Sequence, residues 1–154
     1  MKTAADLLLI LLLSLTLAGH GDRPEVGNAF DGEVNAYEGV TMSVVEGTAA
    51  PDSITVEVIN TTDKEINSGN TGDFAVQIEQ DGGWYWLKTL QDEYANTAEA
   101  YRYRTNVPKQ LELDWTQFYG SLESGHYRVV KPFSEYRGPG DSTHFLLAAE
   151  FSLE

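Results

Sequence analysis

The chain has 154 residues, no cysteine, and a formal charge of −14 from 24 acidic against 10 basic side chains. That length holds one ordinary domain with short additions. The missing thiols exclude disulfides, thiolate metal sites and cysteine nucleophiles, and the acidity argues against nucleic acid, whose phosphates need clustered Lys and Arg.

The first element is an export signal over residues 1–19. Met1-Lys2-Thr3 leads, after Asp6, into the apolar run Leu7 to Leu17, followed by the small residues Ala18 and Gly19. The run is shorter than the ~20 apolar residues that span a bilayer, and a charged start, a short apolar stretch and a small-residue end make a secretory signal. Asp6 departs from a wholly positive lead. Leu17-Ala18-Gly19-His20 is similar to the lipobox of bacterial lipoproteins, with His20 where the lipidated cysteine belongs. Imidazole offers no thioether, so no lipid anchor is expected through His20.

Residues 20–37 are rich in Gly and acid and show no sustained period, and they read as a flexible acidic linker. Val26, Phe30 and Val34 recur at helical spacing, but Gly27 and Gly32 among them weaken a helix.

From Tyr37 onward the pattern becomes short β-rich runs between turn residues, a domain over residues 38–154. Strands are expected over 40–45, 53–59 and 74–80; Ile54, Val56 and Val58 share one face, as do Phe74, Val76 and Ile78. Asp81-Gly82-Gly83 is a tight hairpin signal, and it opens the aromatic strand Trp84-Tyr85-Trp86-Leu87-Lys88, whose Trp84 or Trp86 is the candidate core tryptophan. Residues 89–97 read as a loop, then strands are expected over 98–103, 110–115, 126–131 and 143–153. The last connection, residues 134–141, contains Gly138-Pro139-Gly140 and reads as an exposed loop. No amphipathic helix separates these runs, which excludes a parallel α/β sheet.

Leu122-Glu123-Ser124-Gly125-His126-Tyr127 resembles the tyrosine corner of immunoglobulin-like sandwiches, in which a tyrosine hydroxyl bonds back to the backbone just upstream. Leu122, Gly125 and Tyr127 are its structural residues. Val129 stands two residues on, where disulfide-bonded members carry cysteine. Together with Trp84-Tyr85-Trp86-Leu87, Leu113-Asp114-Trp115, Phe118-Tyr119-Gly120, the run Gly125-His126-Tyr127-Arg128-Val129-Val130-Lys131 and Ala149-Glu150-Phe151, the segment is similar to the bacterial immunoglobulin-like domain family of secreted and lipoprotein-type proteins. The resemblance implies an all-β, antiparallel immunoglobulin-like sandwich of about seven or eight strands in an extracytoplasmic setting. It carries no catalytic residues.

The chemistry in the residues agrees with a non-enzyme. No Gly-x-Ser-x-Gly elbow and no Asp-x-Asp-x-Asp-Gly calcium loop is present. His126 and His144, near facing ends of the last two strands with Asp141 close by, are the one metal-like grouping, and solvent-facing strand positions are the plainer reading; no metal and no cofactor is expected. Aromatic side chains concentrate mid-chain at Trp84, Tyr85, Trp86, Tyr94, Tyr101 and Tyr103. Trp84 and Trp86, with Tyr136 and Arg137 in the 134–141 loop, are the candidate contact residues for a cell-envelope protein or glycan. The alternative function is protease inhibition by that loop.

Overall fold

The computed structural model describes residues 23–92 and 98–154. The expected export signal over residues 1–19, His20 and Tyr94 lie outside the described residues. Among the described residues ten strands and one helical turn follow in order: β1 (Val26–Ala29), β2 (Val40–Val44), β3 (Ser53–Asn60), β4 (Ile66–Gly69), β5 (Ala75–Gln80), β6 (Gly83–Leu87), β7 (Ala100–Tyr103), β8 (Lys109–Asp114), α1 (Thr116–Tyr119), β9 (Gly125–Gly138) and β10 (Asp141–Leu153).

Alternation along β3 shows how the sheets face each other. Ile54, Val56, Val58 and Asn60 are buried, and the residues between them are half-exposed. Antiparallel register places Leu113 and Leu111 beside Ile54 and Val56, and Met42 beside Val58. This three-stranded sheet, β2-β3-β8, lays its aliphatic face on a second sheet ordered β1-β6-β5-β9-β4-β7, with β10 on the other edge of β9. The second sheet contributes Val76, Tyr127, Val129, Phe133, Leu147, Ala149 and Phe151 to the shared core. Burying each such large side chain is worth about 1.5–3 kcal/mol, and no disulfide supplements that.

One corner of the core is an aromatic stack. Trp115 lies against Phe151 at 5.6 Å and Phe151 against Tyr127 at 5.7 Å, both near-parallel. Trp115 donates its indole N–H to the Pro51 carbonyl (2.8 Å), and Tyr127 donates its hydroxyl to the Glu123 carbonyl (2.9 Å). Gly125 is small out of need: a Cβ there would sit 3.0 Å from the Tyr127 ring. Leu122 is buried beneath this corner, its N–H bonded to Pro51 O.

The structure differs from the sequence reading in four places. The core tryptophan is Trp115, not Trp84 or Trp86, because the alternation of β6 turns both of those to the outer face while Tyr85 shares the side of its partner Ile78. Residues from Val26 on are not a flexible linker. β1 pairs with β6, the Phe30 ring meets Trp86 edge-on at 5.3 Å, and Tyr37 stacks on Phe145 at 4.1 Å. Asn35, at φ 59°, bonds Ala148 through both amide atoms and donates its N–H to Leu146 O, taking the place of a strand along β10. Residues 134–141 are not a loop, since β9 and β10 stay paired to Gly138 and Asp141, leaving Pro139-Gly140 as the tip. Finally, β4 occupies a stretch with no legible alternation, joined to β7 on one side and β9 on the other.

Two measurements follow. Tyr127→Phe keeps the ring and removes the corner hydrogen bond, so urea unfolding is expected to register a loss of about 1 kcal/mol. A chain beginning at Tyr37 loses the Phe30 cover and the Asn35 bonds, and is expected to be less stable than one beginning at Arg23 by roughly 3 kcal/mol, again by urea midpoint. Equal stability of the two would return residues 26–36 to the status of a tether.

Candidate functional site

Strand pairing builds a grid on the outer face of the larger sheet. One rung across β6, β5, β9 and β10 reads Trp84, Glu79, His126, Ser152. The next reads Trp86, Gln77, Arg128, Glu150. Residues two apart on a strand share a face, so these eight side chains point the same way. The segment after β1 crosses the second rung with Phe30 and leaves the first rung open to solvent.

Arg128 joins the two rungs. Its guanidinium lies 4.3 Å from the Trp84 ring centre and 5.2 Å from that of Phe30. Its Nε–H donates to Gln77 Oε1 at 2.7 Å. Arginine suits this position because its planar, weakly hydrated cation stacks on aromatic faces. Burial lowers the Arg128 pKa, and the neighbouring Glu150 charge opposes that shift. Gln77 is fully buried beneath, and its Nε2 has no partner among the described residues.

His126 is the polar centre of the open rung. One ring nitrogen lies 2.9 Å from Ser152 Oγ; the other lies 3.1 Å from Glu150 and 3.7 Å from Glu79. The Trp84 ring is 5.5 Å away and tilted. The result is a half-exposed indole with Glu79 and the His126 imidazole beside it, and with Glu150 and Ser152 beyond the imidazole, a combination that can stack on a flat apolar face and hydrogen-bond along one side.

The other candidate residues fall elsewhere. Tyr136 is 41% exposed near the tip of the β9–β10 hairpin. Arg137 is tied down by Asp141 (2.9 Å), Glu135 (3.1 Å) and the Thr143 hydroxyl (2.9 Å). Eight strand positions separate Tyr136 from Arg128, about 26 Å of extended chain, so the structure does not bring the Trp84 and Tyr136 groups together. His126 and His144 are not neighbours either: the register sets His126 opposite Ser152 and His144 opposite Ser134. Among the described residues no group of three or more His, Asp or Glu side chains is arranged to hold a metal ion.

Lys131, missed in the sequence, is fully buried on the core side of β9. Its ammonium donates to the carbonyls of Asn70 (2.7 Å), Asp73 (2.8 Å) and Gly69 (3.1 Å), pinning the turn between β4 and β5. Flanked by Val129 and Phe133, it looks from sequence like a solvated strand cation; nothing local marks it as inward beyond its parity with Tyr127.

Two antiparallel sheets packed face to face and closed by a tyrosine corner define an immunoglobulin-like sandwich. A family model described as bacterial Ig-like domain matches residues 36–152, and the chain belongs to that family. Comparison with curated proteins and with solved structures gives no match.

Lys131 generates a pH test. Burial pushes its ammonium down to about 8 from an ordinary 10.5, against the opposing pull of the Asp73 charge. Between those values the unfolded chain holds a proton the folded one has released, so stability rises with pH across that window. Burial also pushes the hydroxyls of Tyr37 and Tyr103 up to about 12, so above about pH 10 the unfolded chain ionises first and stability falls. Urea unfolding is expected to strengthen from about pH 8 to about pH 10, and the rise to vanish in Lys131→Met.

Proposed function

We propose that this domain is an exported, non-catalytic module of the bacterial cell envelope that binds an envelope ligand through the open rung around Trp84, with a glycan favoured over a protein surface. The observation that carries the reading is the Trp84 indole, backed on Arg128 at 4.3 Å, with Glu79 paired beside it and the His126 ring 5.5 Å away. An aromatic plane with hydrogen-bonding groups at its edge matches the apolar face and peripheral hydroxyls of a sugar ring. The mixed charge of the rim favours a neutral ligand over a polyanion. Support for the setting comes from the family, whose domains often occur in extracellular or surface proteins, and from the signal-like residues 1–19.

The full chain, fluorescently labelled, is to be screened on a glycan array and on isolated bacterial cell walls. Retention is expected, with a loss of at least about tenfold in Trp84→Ala, since anchors of this type are worth 2 kcal/mol or more. Trp84 lies outside the shared core, so Trp84→Ala is expected to stay folded, with a loss of about 0.5–2 kcal/mol from its contact with Arg128. Binding that survives Trp84→Ala unchanged, or blank arrays and walls, would remove the reading.

A further inference from the structure

Nine of the ten basic residues lie among those described, and most are neutralised or buried. Arg23, Lys64, Lys88, Arg102 and Arg137 each lie within ion-pair distance of a carboxylate. Arg128 and Lys131 are buried on neutral partners. Arg104 and Lys109 remain, with no carboxylate at ion-pair distance among the described residues. They occur together, at the two ends of the turn from β7 to β8.

That turn is rigid. Asn106, at φ 58°, donates its N–H to Asn60 O (2.7 Å), the Thr105 hydroxyl donates to Thr62 O (2.7 Å), and the Val107 N–H donates to Arg104 O (3.2 Å). Beside it lies a groove of about 440 Å³, lined by Tyr101, Arg102, Arg104, Val107, Pro108 and Lys109, with no acidic residue in its wall. The Lys109 ammonium stands 4.3 Å over the Tyr101 ring, which fixes the cation at the groove. Val107, 52% exposed, is the most exposed large hydrophobic side chain among the described residues. In a chain with more than twice as many acids as bases, three cations, an aromatic ring and a bare valine share one groove.

The groove also runs along a strand edge. Among the described residues β7 has β4 as its one hydrogen-bonded neighbour, and Asn60 Nδ2 caps the Tyr103 carbonyl (3.0 Å), leaving Ala100–Arg102 with an edge unpaired by any of them. We propose that this groove docks an extended acidic peptide segment of a partner protein. Its backbone adds to β7, alternate carboxylates reach Arg104 and Lys109, and the apolar side chains between them cover Val107 and Pro108. At physiological salt the screening length is about 8 Å, so the local cations govern the encounter and the distant net charge does not. A long phosphodiester polymer is the poorer fit, because its affinity grows with the number of phosphates neutralised and this groove offers few cations.

The proposal is independent of the Trp84 reading and is tested on the full chain with a short fluorescein-labelled peptide of alternating Glu and Val. Binding is expected at physiological salt, where the distant net charge is screened, weakening by at least about tenfold in Arg104→Glu/Lys109→Glu, as for a lost pair of interfacial charges. The charge-matched Arg23→Glu/Lys88→Glu variant and Trp84→Ala are expected to bind like the parent. Bound peptide is expected to slow amide hydrogen exchange at Ala100–Arg102. Absence of binding, equal weakening in both double variants, or unchanged exchange along β7 would overturn the proposal. So would tighter retention of inorganic polyphosphate than of the peptide, which would give the groove to a polyanion.

Discussion

Strand β9 imposes one constraint on everything around it: its side chains must alternate between two faces that are both occupied. Tyr127, Val129, Lys131 and Phe133 face the core, while His126, Arg128 and Val130 face outward. Its edges are committed too, to β5 over Ile78–Ala75, to β4 over Ser68–Ile66, and to β10 along nearly its whole length. A slip of one residue would bring Arg128 and Val130 into the core and expel Tyr127 and Val129. The Tyr127 hydroxyl on Glu123 fixes that register at the point where β9 begins. Core and candidate surface are therefore two readings of one strand, and neither can be altered in register without losing the other.

The two buried cations on β9 are accommodated by opposite means. Arg128 spreads its charge between aromatic planes and gives one hydrogen bond to a neutral amide. Lys131 concentrates its charge on three backbone carbonyls. Taking an ammonium out of water costs several kcal/mol unless its hydrogen bonds are made, and here all three are. In a chain without disulfides, the ammonium serves as an internal cross-link between β9 and the turn that separates β4 from β5. Its removal would leave three carbonyls facing a cavity, the costlier half of such an exchange.

The elements legible in the sequence are those whose pattern is local. Ile54, Val56 and Val58 alternate cleanly, and the residues of Asp81-Gly82 adopt φ of 52° and 77°, as their turn chemistry requires. β1 and β4 were hidden because each is four residues long and pairs with distant chain, with no periodic apolar face of its own. Gly138-Pro139-Gly140 suggested a loop over residues 134–141, yet Tyr136 and Ser142 still pair, since glycine and proline mark the tip of a hairpin and not its length. The face of Trp84 and Trp86 could not be read from an all-aromatic strand. It is set by which side of β6 meets the opposing sheet. Arg128 and Lys131 were illegible for a related reason: sequence gives parity along a strand, but not what covers each side.

Sheet edges connect the N-terminal segment, the hairpin and the groove. An unpaired edge is a template for association with other chains, and proteins blunt it with short strands, charges or cover. Here β6 gains the four-residue β1 on its edge, and β10 has its edge at Leu146 and Ala148 taken by Asn35. Among the described residues β7 receives neither treatment. What stands beside it is Arg102, Arg104 and Lys109. Cations at an edge reject strands that bring like charge or that would bury the ammonium without a counter-ion, and they accept a strand that supplies carboxylates. The same residues that keep β7 from pairing indiscriminately therefore define the chemistry of the segment that can pair with it.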